Sequence, residues 1–320
     1  MRLNLYAKLD EIQPRSRRQI DSFLYTAPNR YKVYSIPKRN GGERIIANPS
    51  WELKVFQRAL INILEPHFRI HESAVAYKEG FGIKDNATLH SNNPYILKLD
   101  FTDFFNSITP ELLFMACEWN DCALSTAEER VLTKGLFWNK AKSQSGRLSL
   151  SVGAPSSPLI SNIIMYLFDE TFSALCEQRG IIYSRYADDL TFSTKHKNAL
   201  FTLPDEVRVF LKKNYKNRIT LNERKTVFTS RAHNRHITGI TLTTQGSLSV
   251  GRERKRLISS LIHKYTLGLL EPDRAYYLQG LLSFAIHIEP EFRFRMINKY
   301  SEKIVKELIK LRKKDGTYRK

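Results

Sequence analysis

Apolar and polar positions follow two different periods along this chain, and the switches between them mark out its elements. Residues Tyr31–Pro37 alternate, Asn40-Gly41-Gly42 offers a turn, and residues 43–47 alternate again, which predicts a β-hairpin. From Trp51 to Leu64 the apolar residues Leu53, Phe56, Leu60, Ile63 and Leu64 recur every three or four positions, predicting a helix with one buried face. Residues 95–101 (YILKLDF) read as a strand, and 159–175 as one long helix with an apolar stripe. Two short strands, 181–186 and 190–193, flank a tight Ala187-Asp188-Asp189 turn, and 236–243 with 247–251 predict a last hairpin. Beyond it the pattern is helical. Leu257, Ile258, Leu261, Ile262, Tyr265 and Leu269 form one stripe, and Tyr277, Leu281, Leu282 and Ile288 a second. A final helix over 291–314 carries Ile297, Ile304, Leu308 and Leu311 on one face. Its other face holds Lys299, Lys303, Lys306, Lys310, Arg312, Lys313 and Lys314. No internal repeat or low-complexity linker interrupts the series.

Charge sharpens this picture. The 320 residues hold 51 Lys and Arg against 32 Asp and Glu, a net charge of +19, and the sequence pI is 9.8. Such a field attracts polyanions, of which nucleic acid is the usual one. From position 245 onward 17 basic residues face 8 acidic ones, so +9 of the +19 lies in the last 76 residues. A basic helix face is often only a solvated one, but this excess points the last helix toward nucleic acid. An anionic membrane surface is the rival polyanion, yet no basic amphipathic anchor stands apart. The N-terminus has no apolar signal core and no run approaches ~18 apolar residues, so a cytoplasmic protein without a membrane span is expected. Cys117, Cys122 and Cys176 show no zinc-ligand spacing and read as reduced, buried thiols.

Acids are scarce, so their placement is informative. Asp100 ends the apolar strand YILKLD, where burying a carboxylate is costly without a cation or strong donors. Asp188 and Asp189 lie on the turn between two strands, and such a turn can sit beside the end of a neighbouring strand. An Asp-Asp turn by itself is more often a solvated loop. Three converging carboxylates, however, raise one another's pKa unless divalent cations sit among them. Mg²⁺ takes hard oxygen ligands and keeps positions for phosphate oxygens. Two ions about 3.5–4 Å apart suit phosphoryl transfer from a nucleoside triphosphate.

Here the chain resembles a family. Tyr186-Ala187-Asp188-Asp189 is similar to the signature box of reverse transcriptases, and Leu99 to Phe105 (LDFTDFF) to their first-aspartate box. Gly153-Ala154-Pro155-Ser156-Ser157-Pro158 and Asn222-Glu223-Arg224-Lys225-Thr226 resemble the following blocks, in the right order over roughly residues 30–245. Asn86-Ala87-Thr88-Leu89-His90 matches the NAxxH element of retron enzymes, and Ile237-Thr238-Gly239 stands where they carry VTG. Val152 departs from the family, which often has a glutamine there that contacts the nucleotide.

The resemblance implies an α+β right-hand polymerase. Its fingers would span 1–95 with an insertion near 120–150, its palm (an antiparallel sheet carrying the YADD hairpin) 96–240, and its basic helical thumb 241–320. It implies that Asp100, Asp188 and Asp189 are catalytic ligands of two Mg²⁺ ions, with the Phe101 carbonyl completing one shell. Lys38 and Arg44 would reach the triphosphate, with Gly153 and Ala154 near the base pair and Lys225 near the phosphates. Phe105 would exclude a ribose 2′-hydroxyl, whereas Asp103 is more simply structural. Asn86 and His90 share a helix face, and the resemblance gives them a part in recognising RNA. Arg252, Arg254, Lys255, Lys299, Lys303, Lys306 and Lys310 are thumb contacts to the RNA backbone; Arg15, Arg17 and Arg18 are generic ones. The implied function is a retron reverse transcriptase that copies its cognate structured non-coding RNA into single-stranded DNA. Deoxynucleoside triphosphates are the substrates, and synthesis is primed from an RNA 2′-hydroxyl to give branched msDNA. A host RNase H would remove template, and an effector encoded nearby would act in antiphage defence. The rival readings are a group II intron-like or diversity-generating enzyme, and a ribonucleoprotein scaffold that restrains a toxic partner.

Overall fold

The alternating N-terminal segments form the expected ribbon: Tyr31–Pro37 pairs antiparallel with Glu43–Pro49 through seven facing positions, from Tyr31 opposite Pro49 to Pro37 opposite Glu43. Trp51–Leu64 is the expected helix, started by the Ser50 hydroxyl, which accepts from the Leu53 amide at 3.3 Å. The structure is a computed structural model that describes residues 2–37, 41–143 and 146–311. Lys38 and Asn40, and Arg312, Lys313 and Lys314 of the final basic face, lie outside the described residues.

The chain divides into two units, Met1–Gly80 with Leu97–Phe228, and Phe81–Ile96 with Thr229–Lys320. In the first, helices surround a sheet whose strands run in the spatial order Ile181–Tyr186, Asp189–Thr194, Tyr95–Asp100, Val227–Ser230. Buried aromatic rings fill the space behind it, with Phe168 stacked on Phe172 at 4.5 Å and edge-on to Phe101 at 5.8 Å. The stretch read as one long helix is two, Ser157–Ile164 and Tyr166–Gln178, bent by 52° at Met165. Ile164, Phe168, Phe172 and Cys176 keep helical spacing through the break, so periodicity could not reveal it. Among the described residues no single helix is long and apolar enough to cross a membrane. All three cysteines are free and buried.

The second unit packs the helix Ile83–His90 and a three-stranded sheet with the helices Arg252–Thr266, Pro272–Ile288, Glu291–Tyr300 and Glu302–Ile309. Three expectations need correction here. Residues 236–243 are not one strand: Arg235–Ile237 folds back on Ile240–Leu242 through Thr238 and Gly239, both at positive φ, the geometry of a tight two-residue hairpin turn. The final helix likewise breaks at Ser301, whose hydroxyl accepts from the Ile304 amide and starts a new helix. The core face of Pro272–Ile288 is Ala275, Leu278, Leu282, Ala285 and Ile288, leaving Tyr277 exposed, contrary to the expected stripe.

Candidate active site

The geometry of the acidic cluster begins with the hairpin Ile181–Tyr186 and Asp189–Thr194, in which Tyr186 faces Asp189. Only Ala187 and Asp188 remain for the turn, and Ala187 adopts φ +58°, a conformation that normally favours glycine. This tight reversal presents Asp188 and Asp189 side by side. The neighbouring strand ends at Asp100, and backbone bonds lock the two together: the Phe101 amide donates to the Asp188 carbonyl at 3.2 Å. On the other side the Asn222 amide donates to the Asp100 carbonyl at 2.7 Å and the Thr102 amide to Thr220 at 2.9 Å. Residues 88 positions apart in sequence therefore meet at one edge of the sheet.

The convergence has electrostatic consequences. Burial raises the pKa of Asp188, and the neighbouring Asp100 carboxylate adds to the rise. Asp189 keeps a solvent-exposed edge, yet loss of water around its carboxyl, and then the charges of Asp188 and Asp100, push it up to about 7. Lys225 supplies the nearest cation: its Nζ bonds Asp100 Oδ1 and Oδ2, each at 2.8 Å. Partial burial works against the lysine's charge, but the bonds to Asp100 override it and hold the ammonium above its usual pKa. Lys225 is thus ion-paired with the first aspartate. Among the described residues, no three His, Cys, Asp or Glu side chains form a ready-made ion-binding group. Here Lys225 takes both Asp100 oxygens. By chemistry the donor set fits a hard divalent ion: three crowded carboxylates carry more negative charge than one lysine offsets.

Around this cluster the implied nucleotide contacts are unevenly placed. Arg44 is exposed on the ribbon opposite Ile36, close enough to Asp188 to favour its charged form. Phe105 lies half-buried on the short helix Phe104–Ser107 that follows Asp100, its ring 5.5 Å from that of Phe104. Asp103 starts that helix with φ +43° and its carbonyl accepts from Ser107. Gly153, at φ +122°, is exposed, and a Cβ there would meet the Ala47 carbonyl oxygen and Ile46 Cγ2 at 3.2 Å. The adjacent Val152 carbonyl accepts from the Ala47 amide at 2.9 Å. The close approach that demands glycine here is therefore to the ribbon, and Ala154 is buried rather than open to a base pair.

Sequence reasoning missed two neighbours of the site. Tyr77, at φ +65° and 55% exposed, has its phenol pKa raised by burial and then by Asp188 and Tyr186. Arg185, one residue before the signature box, is wholly buried against Asp169. A charged residue at an inward-facing strand position was the available signal.

The second unit corrects the RNA contacts. Asn86 and His90 do share a face of Ile83–His90, but both are fully buried, and burial lowers the His90 pKa to about 3. The Thr238 hydroxyl donates to the Ile83 carbonyl at 3.2 Å, so the Ile237-Thr238-Gly239 turn is fastened to the helix that carries NAxxH. These two elements build a core and do not offer Asn86 and His90 side chains to a polyanion. Lys255 is bound to Glu289 at 2.8 Å, Lys306 to Glu302 at 2.8 Å, and Lys299 to the Ser259 hydroxyl at 2.8 Å. Arg254 lies over the Phe284 ring at 5.1 Å. Arg252, Lys303 and Lys310 are exposed.

Comparison with known proteins follows from this geometry. The family described as reverse transcriptase (RNA-dependent DNA polymerase) matches residues 36–242. The chain is 48% identical over 291 residues to the retron Ec83 reverse transcriptase of Escherichia coli, covering 91% of this chain and 93% of the relative. It is 29% identical over 294 residues to the retron Ec86 reverse transcriptase of the same organism, covering 89% and 84%. Among solved structures, apo telomerase from Candida Tropicalis matches 85% of this chain and 58% of its own, with a TM-score of 0.49 and 13% identity.

Proposed function

The chain belongs to the reverse transcriptase family and is a retron-type RNA-directed DNA polymerase; on that premise we propose that it copies its own structured non-coding RNA into single-stranded DNA. Synthesis starts from a 2′-hydroxyl of that RNA and leaves a branched RNA–DNA molecule. In this reading 1–95 with 120–150 serve as fingers, 96–240 as palm and 241–320 as thumb. Host RNase H trims the template, and the product acts with a separately encoded effector in antiphage defence in the cytoplasm.

The observation that carries this reading is the meeting of Asp100, Asp188 and Asp189 at the end of two neighbouring strands, with Lys225 bound to Asp100. Two bound Mg²⁺ ions would neutralise these carboxylates, activate the attacking hydroxyl and stabilise the departing pyrophosphate. Asp100, Asp188 and Asp189 would hold them, with the Phe101 carbonyl as a further oxygen. Arg44 binds the triphosphate from the ribbon, a part that Lys38 shares, and Tyr77 stands near enough to Asp188 and Arg44 to feel both charges. Phe105 closes the sugar site, so Phe105→Val should lower the preference for deoxynucleotides by roughly 10–100-fold, read as the ratio of kcat/KM for dNTP and NTP.

The direct test is to purify the protein from cells carrying its native locus and treat the co-purifying nucleic acid with DNase, RNase and a debranching enzyme. A DNase-sensitive species joined to RNA and shifted by debranching is the expected result. Linear RNA alone, with Mg²⁺ and deoxynucleotides supplied, would overturn self-primed synthesis.

A further inference from the structure

We propose that Arg185, held by Asp169, is a positioning residue that sets the Asp188 turn of the active site. This inference rests on the reading of Asp188 and Asp189 as catalytic carboxylates.

Three observations carry it. The first is that a fully buried guanidinium has been placed where a strand could have carried an apolar residue. Both Arg185 and Asp169 have no exposed side-chain surface. Their bonds are bidentate: Nε donates to Asp169 Oδ1 at 2.8 Å and Nη2 to Oδ2 at 2.5 Å. A buried ion pair stabilises little more than a well-packed apolar pair would, so its retention calls for a reason other than stability.

The second is where the remaining donor points. Arg185 Nη1 donates to the Asn162 side-chain oxygen at 3.0 Å and to the Ala187 carbonyl at 3.2 Å. Ala187 is the turn residue at φ +58°, and its carbonyl belongs to the peptide bond that leads into Asp188. An alanine in that conformation is strained relative to glycine, and a charge-assisted bond to its carbonyl opposes relaxation of the turn. The planar fork reaches the carboxylate and this carbonyl together, which a lysine ammonium cannot do.

The third is that the hub is anchored on every side. The Tyr183 hydroxyl donates to Asp169 Oδ1 at 2.7 Å. The Arg185 backbone amide donates to the Ser73 carbonyl at 2.7 Å, and its carbonyl accepts from the Val75 amide at 3.0 Å. Asn162 Nδ2 donates to the Ala76 carbonyl at 3.4 Å. Asp169 and Asn162 come from the two helices on either side of the Met165 bend. Two helices that meet at the bend thus each aim one polar group at the same guanidinium.

The test compares Arg185→Lys with the double variant Arg185→Met/Asp169→Leu, which removes the pair without leaving a buried charge. Thermal unfolding, RNA affinity and deoxynucleotide incorporation are measured for each. The expected result is a variant that folds and binds RNA like the wild type, with kcat lower by about 100-fold and KM for nucleotide nearly unchanged, the cost of misplacing a catalytic group by about 1 Å. A folded variant with kcat within about threefold of wild type would overturn the proposal. Failure of both variants to fold would also overturn it, by assigning the pair to the stability of the whole unit. Asp188→Asn run alongside separates the two levels: if it leaves synthesis intact, the reading of the site has failed, and not merely the role of Arg185.

Discussion

Two groups of charge meet at one hairpin, and they are built on opposite terms. Arg185 and Asp169 form a closed set in which each charge meets its opposite and the remaining donors find oxygens. Three residues further on, Asp188 and Asp189 join Asp100 to make three carboxylates with Lys225 as the nearest cation. The closed group holds the turn in place. The open group stores repulsion that a bound cation would relieve, which is how a site can be ready for ions and phosphates before they arrive. The balanced group positions the hairpin, and the unbalanced group is where ions and phosphates would bind.

Removing one acid from each group should give opposite signs, and this is the largest contrast. Asp169→Asn strands the Arg185 guanidinium in the interior and should destabilise the fold by about 3–5 kcal/mol in chemical denaturation. Asp189→Asn removes a carboxylate whose pKa is raised in the folded state. Such a group protonates in the native state first, so the wild type loses stability as pH rises from about 4 through about 7. Asp189→Asn should therefore raise the cation-free Tm above pH 7, and Mg²⁺ should shrink that gain. Equal destabilisation by both variants would erase the distinction between the groups.

A second contrast lies with His90, whose shift runs the other way. Its folded pKa of about 3 means that the unfolded chain takes up a proton below pH 6.5 while the native state does not. Stability attributable to His90 should fall by roughly 1.4 kcal/mol for each pH unit below about 6.5. The measurement is the pH slope of unfolding free energy, which should flatten in His90→Gln; an unchanged slope would contradict its burial as a neutral ring.

The smallest effect separates free from committed lysines. Lys303→Gln with Lys310→Gln should together reduce the salt slope of RNA binding by about 1.5–2, with stability unchanged. Lys255→Gln breaks the pair with Glu289 and should lower stability with little change of slope. The reverse pattern would mean that the ion pair opens for RNA.

Much of the first unit was legible because its motifs are local. The ribbon, Trp51–Leu64, the Asp100 strand and the YADD hairpin each declare themselves within about 15 residues, by alternation, by helical spacing or by a tight turn. What escaped depends on the third dimension. The break at Met165 leaves the apolar spacing undisturbed, and Ser301 reads as one more polar helix residue until its hydroxyl is seen capping the next helix. Thr238-Gly239 did carry a signal, since a glycine flanked by β-branched residues suits a tight turn. Asn86 and His90 share a face as four-residue spacing requires, but no spacing says whether a face looks at solvent or at Ile83–His90's own sheet. Lys225 was placed near the site, but its pairing with Asp100 was not legible, because the two lie 125 residues apart.

The central claim is that the three carboxylates form the centre that makes DNA on RNA. Its most direct test is Mg²⁺-dependent deoxynucleotide incorporation on the protein's own RNA by the wild type and by Asp188→Asn, with RNA affinity measured in parallel. Incorporation should fall by roughly 10³-fold or more while RNA affinity stays within about twofold. Incorporation that survives the substitution, or that falls only in step with RNA binding, would contradict the account.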